Sequence, residues 1–136
     1  MNTIILDLDG TILDNHERLY QCYADILKSY QLLPISKEDY WQKKRNGIKL
    51  IDILALSNAE NLLREFEKRW FANIEKQDYL QLDKPFYQSM DILSKWKKNR
   101  LRLILVTLRH DKINLFWQLK ELNIFQLFSA AKKKIW

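Results

Sequence analysis

The chain has 136 residues, 47% hydrophobic and 29% charged, with a formal net charge of +6 and one cysteine. That length and balance suit one ordinary globular domain with a real core, and the lone Cys22 excludes an intrachain disulfide framework. No charged leader with an apolar stretch and no run of 18 apolar residues occur, so a cytoplasmic protein without a membrane partner is expected.

Ile4, Ile5 and Leu6 predict a short strand buried on both faces. Asp7 and Asp9 follow at its end, with Gly10 and Thr11 as a turn. In an open α/β sheet, ligands bind outside the carboxyl ends of the strands, so this position belongs to chemistry. Two acids two residues apart project to one side of an extended backbone. Their repulsion favours a bound cation or one protonated carboxyl. The pair suits a nucleophilic carboxylate beside a proton donor, with a divalent metal neutralising a phosphate.

Residues 15–31 carry a helical stripe of Leu19, Tyr20, Tyr23, Ile26, Leu27 and Tyr30, which Pro34 ends. Cys22 falls in this helix as apolar filler rather than a nucleophile. Ser36 with Asp39, and Ser57 with Glu60, give two capping patterns, the second opening a long helix over 58–76. Asn46-Gly47 marks a turn between them. Pro85 is placed at the first position of a helix running through Trp96. Residues 101–106 predict a second buried strand, 111–122 a helix, and Leu127 to Ala131 the start of a third strand. Val106-Thr107 ends the second strand, where a hydroxyl beside a helix N-terminus can donate to a phosphate oxygen.

The string Asp-Leu-Asp-Gly-Thr at 7–11, after an apolar strand and before Ile-Leu-Asp, resembles motif I of the haloacid dehalogenase-like (HAD) hydrolases. Most members of that superfamily are phosphatases. Thr107 stands at the matching position of motif II. The resemblance implies an α/β fold: a Rossmann-like core with a parallel sheet over 1–14 plus 83–136, and an α-helical cap inserted over 15–82. It also implies Mg²⁺-dependent hydrolysis of a small phosphorylated metabolite. Asp7 would be the nucleophile and a metal ligand, forming an aspartyl-phosphate. Asp9 would be the general acid and base, with its carbonyl on the metal. Gly10, Thr11 and Thr107 would bind phosphate. An acid at position 9 favours phosphoryl chemistry over carbon–halogen cleavage.

Other candidates have plainer readings. Arg109 and His110 could approach a substrate from the loop and His16 could face a cap–core cleft, but the first two are read as solvated or capping residues, His16 as a helix-start surface histidine, and Asp14 as a cap. The basic clusters at 43–45, 95–102 and 132–134 are read as solvated faces. The aromatic residues keep core-type helical spacing instead of interleaving with those basics, so a nucleic-acid partner is not expected. Two family motifs are not securely present. Lys132, Lys133 or Lys134 would be an early motif III lysine, and no Asp or Glu follows Glu121 to supply the motif IV metal acids. The expectation is a chain truncated before motifs III and IV, its C-terminal strands missing and its first strand left with an open edge. Such an edge invites a homodimer. Without those motifs hydrolysis is expected to be weak or lost, and the alternative is a catalytically inactive remnant acting as a binding protein.

Overall fold

The computed structural model describes residues 2–133, with the side chains of 132 and 133 outside the description. The chain forms two compact units by internal contacts, one of the residues up to Asn15 with those from Leu80 onward, the other His16–Tyr79.

In the first unit, strand β1 (Thr3–Leu6) leads to a two-residue strand β2 (Leu13–Asp14). After the second unit come β3 (Lys84–Pro85), a helix over Ser89–Lys98, strand Arg102–Thr107, a helix over Lys112–Glu121, and strand Ala130–Lys133. We call the last two strands β4 and β5. The sheet is parallel with order β1-β4-β5; Leu6 lies opposite Leu105, and Thr107 opposite Lys133. Alternation puts Leu103, Leu105 and Thr107 on the buried face of β4. Leu103 and Leu105 join a core with Leu8, Leu13, Leu93, Leu115 and Leu119.

Two expectations fail in this unit. Ile5 is 67% exposed, so β1 is not buried on both faces: Ile4 and Leu6 pack on the core, while the strand lies at the sheet edge with β4 as its one described neighbour. Pro85 does not start a helix. It pairs with Leu13 in the small antiparallel β2–β3 ladder, where a proline's missing N–H is tolerated, and the next N–H, of Phe86, donates to the Ile12 carbonyl at 2.9 Å.

The second unit is helical: α1 (His16–Ser29), α2 (Lys37–Arg45), α3 (Leu50–Ala55), α4 (Leu63–Asn73) and most of α5 (Gln77–Leu80). The Ser89–Lys98 and Lys112–Glu121 helices are then α6 and α7. Its core gathers Cys22, Tyr23, Leu27, Tyr40, Ile53 and Phe66. The loop before α2 is pinned by α1, since the Tyr20 hydroxyl donates to the Ile35 carbonyl (2.8 Å) and the Tyr23 hydroxyl accepts from the Ile35 N–H (3.3 Å). Ser36 caps α2 as expected, accepting from the Asp39 N–H at 3.1 Å.

Ser57 does not cap a helix over 58–76. Asn58 sits at φ 56°, and the Ala59 N–H donates back to the Leu54 carbonyl at 2.9 Å. This left-handed turn closes α3. The Ser57 hydroxyl donates instead to the Leu33 carbonyl at 2.6 Å, and the expected helix over 58–76 is reduced to a short 3₁₀ turn (Glu60–Leu62) followed by α4.

Candidate active site

β1 and β4 run parallel in register, so Asp7 and Thr107 both leave the sheet at its carboxyl edge. Beyond Leu6 the chain keeps the two-residue alternation for one step: Asp7 and Asp9 are half-buried around a fully buried Leu8. It then folds on itself. The N–H groups of Ile12 and Leu13 both donate to the Leu8 carbonyl at 3.0 Å, and the Gly10 N–H donates to the Leu13 carbonyl at 2.9 Å. This turn needs φ +76° at residue 10, a region glycine enters without a Cβ penalty. Gly10 and Thr11 are exposed, as an approaching ligand would require.

Thr107 closes β4 and is 2% exposed. Its Oγ1 accepts from the Arg109 backbone N–H at 3.2 Å, which leaves the hydroxyl proton available as a donor. Asp111 caps α7 by accepting from the Asn114 N–H at 2.9 Å, so that helix starts just past the loop.

Arg109 overturns its reading as a solvated residue. Its side chain is 2% exposed and grips Asp9 with a planar fork: Nε donates to Oδ2 and Nη2 to Oδ1, both at 2.8 Å. Such bidentate pairs are the stronger class of charged hydrogen bond. Nη2 also lies 3.5 Å from Asp83 Oδ2, a fully buried carboxylate oxygen. Gln118 Nε2 on α7 donates to that same oxygen and to the Leu80 carbonyl, each at 2.9 Å. No sequence signal pointed to Asp83 or Gln118. The run Leu108-Arg109-His110-Asp111 was visible as a loop whose Arg109 and His110 could approach a substrate, but nothing in it named Asp9 as the partner of Arg109. His110 is exposed, as expected of a surface position.

Among the described residues no group of three or more His, Cys, Asp or Glu could hold a metal ion. Lys132 and Lys133, two of the motif III candidates, lie on β5 by backbone only, and Lys134 lies outside the described residues. Cys22 belongs to the helical unit, where burial, with Asp25 adding, pushes its thiol up to about 12 against Arg18 and Lys76. It is filler, as read. His16, also there, packs edge-on against Trp41 with ring centroids 4.2 Å apart.

No curated protein matches the sequence. Solved structures do match in fold. A HAD-superfamily hydrolase of subfamily IA from Geobacter sulfurreducens aligns with TM-score 0.72 at 18% identity, over 98% of this chain and 62% of that one. A haloacid dehalogenase-like family hydrolase from Streptococcus pneumoniae gives 0.70 at 17%, over 99% and 62%. A protein from Clostridium acetobutylicum titled a predicted phosphatase gives 0.69 at 15%, over 98% and 61%. The chain thus spans a little over three fifths of the length of these structures. No helix among the described residues is long and apolar enough to cross a membrane. The model of the haloacid dehalogenase-like hydrolases matches residues 4–133, from the apolar strand before Asp7 to the end of β5, and the chain belongs to that family.

Proposed function

We propose that the chain hydrolyses small phosphomonoesters through an aspartyl-phosphate on Asp7. The observation that carries this is the convergence of Asp7, the Gly10–Thr11 turn and Thr107 at one carboxyl edge of a parallel sheet. The Asp7 carboxylate attacks phosphorus and the ester oxygen leaves. Asp9 protonates that oxygen and then takes a proton from the water that frees Asp7, the work of a positioned carboxyl. Thr107 Oγ donates to a phosphate oxygen, and the exposed Gly10–Thr11 turn lies against the phosphate with the Thr11 hydroxyl as a second donor. The helical unit is the cap.

Mg²⁺ is the cofactor this reading calls for. The Asp7 carboxylate and Asp9 carbonyl are hard oxygen donors of the right kind, and Mg²⁺ commonly takes one or two carboxylates with water and substrate oxygens. When bound it would neutralise phosphate charge. The described residues add no further carboxylate group to that set.

The open edge of β1, with Ile5 67% exposed beside it, supports pairing with β1 of a second copy. A second functional reading is a non-catalytic phosphate-binding remnant. It is favoured by one observation: the Asp9 carboxylate already sits in the Arg109 fork. Hydrolysis of an aryl phosphate by the parent chain and by Asp7→Asn, each with and without Mg²⁺, separates the two. Mg²⁺-dependent turnover lost in Asp7→Asn supports the enzyme. Equal rates in both chains overturn it.

A further inference from the structure

Asp9 stands in the turn after β1. The residue lies outside the strand ladder, with a single backbone bridge to Leu13, and its side chain is 28% exposed. An aspartate so placed can turn about two side-chain torsions. The guanidinium of Arg109 holds it with two 2.8 Å bonds, which fix the carboxylate in plane and direction.

Arg109 is itself held from several sides. Its backbone N–H is on Thr107 Oγ1, its Nη2 is shared with the buried Asp83, and Asp83 is held by Gln118. The Leu80 carbonyl takes the other proton of Gln118 Nε2. The end of β4, the segment 80–83 and α7 therefore converge on one guanidinium, and that guanidinium sets one carboxylate.

We propose that Arg109, backed by Asp83 and Gln118, is a positioning residue that aims the Asp9 carboxylate, as the base, at the water that frees Asp7. This rests on the phosphatase reading above, and it assigns Arg109 no contact with substrate. A fork is required for such a task because a lysine keeps the charge but not the two-bond plane. Misplacement of a reacting group by about 1 Å can cost on the order of 100-fold.

The test is a double-mutant cycle in turnover on an aryl phosphate, using the full chain: parent, Asp9→Asn, Arg109→Met and the double variant, with Arg109→Lys and Asp7→Asn alongside. A residue that acts only through Asp9 gives a non-additive cycle. Arg109→Met is expected to lower kcat by about 10- to 100-fold with KM changed less than about twofold, a loss confined to the transition state. The double variant is expected to be no slower than Asp9→Asn, and Arg109→Lys to recover kcat only in part. Additive losses, or a rise in KM that carries the effect, would mean that Arg109 meets the phosphate itself and would overturn the proposal. So would full activity in Arg109→Lys, which also serves as the reporter if Arg109→Met does not fold. Asp7-dependent turnover with kcat intact in Arg109→Met removes this role alone. Turnover in no chain, or turnover indifferent to Asp7→Asn, removes the phosphatase reading and this role with it.

Discussion

Arg109 and Asp9 stand 100 residues apart in sequence and share two hydrogen bonds of 2.8 Å at the carboxyl edge of the sheet. The pair belongs to a small charge cluster, with one guanidinium between the partly exposed Asp9 and the fully buried Asp83. Removing the cation leaves the buried Asp83 carboxylate facing the Gln118 amide without its guanidinium. Breaking a buried ion pair from one side costs about 3–5 kcal/mol. Arg109→Met is expected to destabilise the chain by roughly the lower end of that range, since Asp9 retains solvent. Chemical denaturation checks it, and a loss too small to measure would show that Arg109 holds Asp9 without supporting the fold.

Asp111 links this cluster to the start of α7, the helix that carries Gln118. Its carboxylate accepts from the Asn114 N–H at 2.9 Å and from Asn114 Nδ2 at 3.0 Å. Asp111→Ala is expected to cost about 1 kcal/mol, the usual value of an N-cap acceptor. Ser36→Ala, which removes the single cap bond of α2, is expected to cost no more than that. Urea midpoints of the two variants compare them directly.

Alkali is expected to unfold the helical unit. Burial raises Tyr23, Tyr40 and Tyr79 above their ordinary 10.0, with a hydrogen bond to Asp25 adding to Tyr79, and it raises Cys22 from 9.0 to about 12. A raised acid is held protonated by the fold, so its contribution is fully present below the unfolded value and is lost as pH climbs toward the folded one. Stability should therefore be flat below about pH 8.5 and fall above it. Tryptophan fluorescence should change in the same transition as the phenolate absorbance of Tyr23, Tyr40 and Tyr79, followed in a chain whose other three tyrosines are phenylalanine. Phenolate appearing while fluorescence stays native would contradict the assignment of these hydroxyls to the core. The same burial predicts that Cys22 reacts with a thiol reagent only after unfolding.

The β1 edge gives a further test. Self-association through it should rise with protein concentration in sedimentation velocity, and Ile5→Lys should suppress it, because an inserted charge on an edge strand blocks pairing. Ile5 is exposed, so the change should leave the fold intact. A parent chain that remains monomeric at all concentrations would rule out a second copy at this edge.

What the sequence determined by itself is what local pattern can carry. A short apolar run, an acid pair, a glycine turn and a strand-ending threonine each lie within a few residues, and the structure forms β1, the Leu8–Leu13 turn and β4 from them. The helix after Asp111 was likewise legible from its stripe. Where a local pattern was ambiguous it misled. Ser57-x-x-Glu60 has the spacing of a helix start, but Asn58 can adopt a left-handed turn, and that turn made it a helix end. Pro85 suits a first helical turn or an edge strand equally, and pairing with Leu13 chose the strand. The exposure of Ile5 follows from where β1 lies in the sheet, which no residue within β1 encodes. The hold of Arg109 on Asp9, and of Gln118 on Asp83, belongs wholly to the tertiary structure. Periodicity reports which way a side chain faces its own element; which partner it meets from 35 or 100 residues away is decided only when the parallel strands come into register.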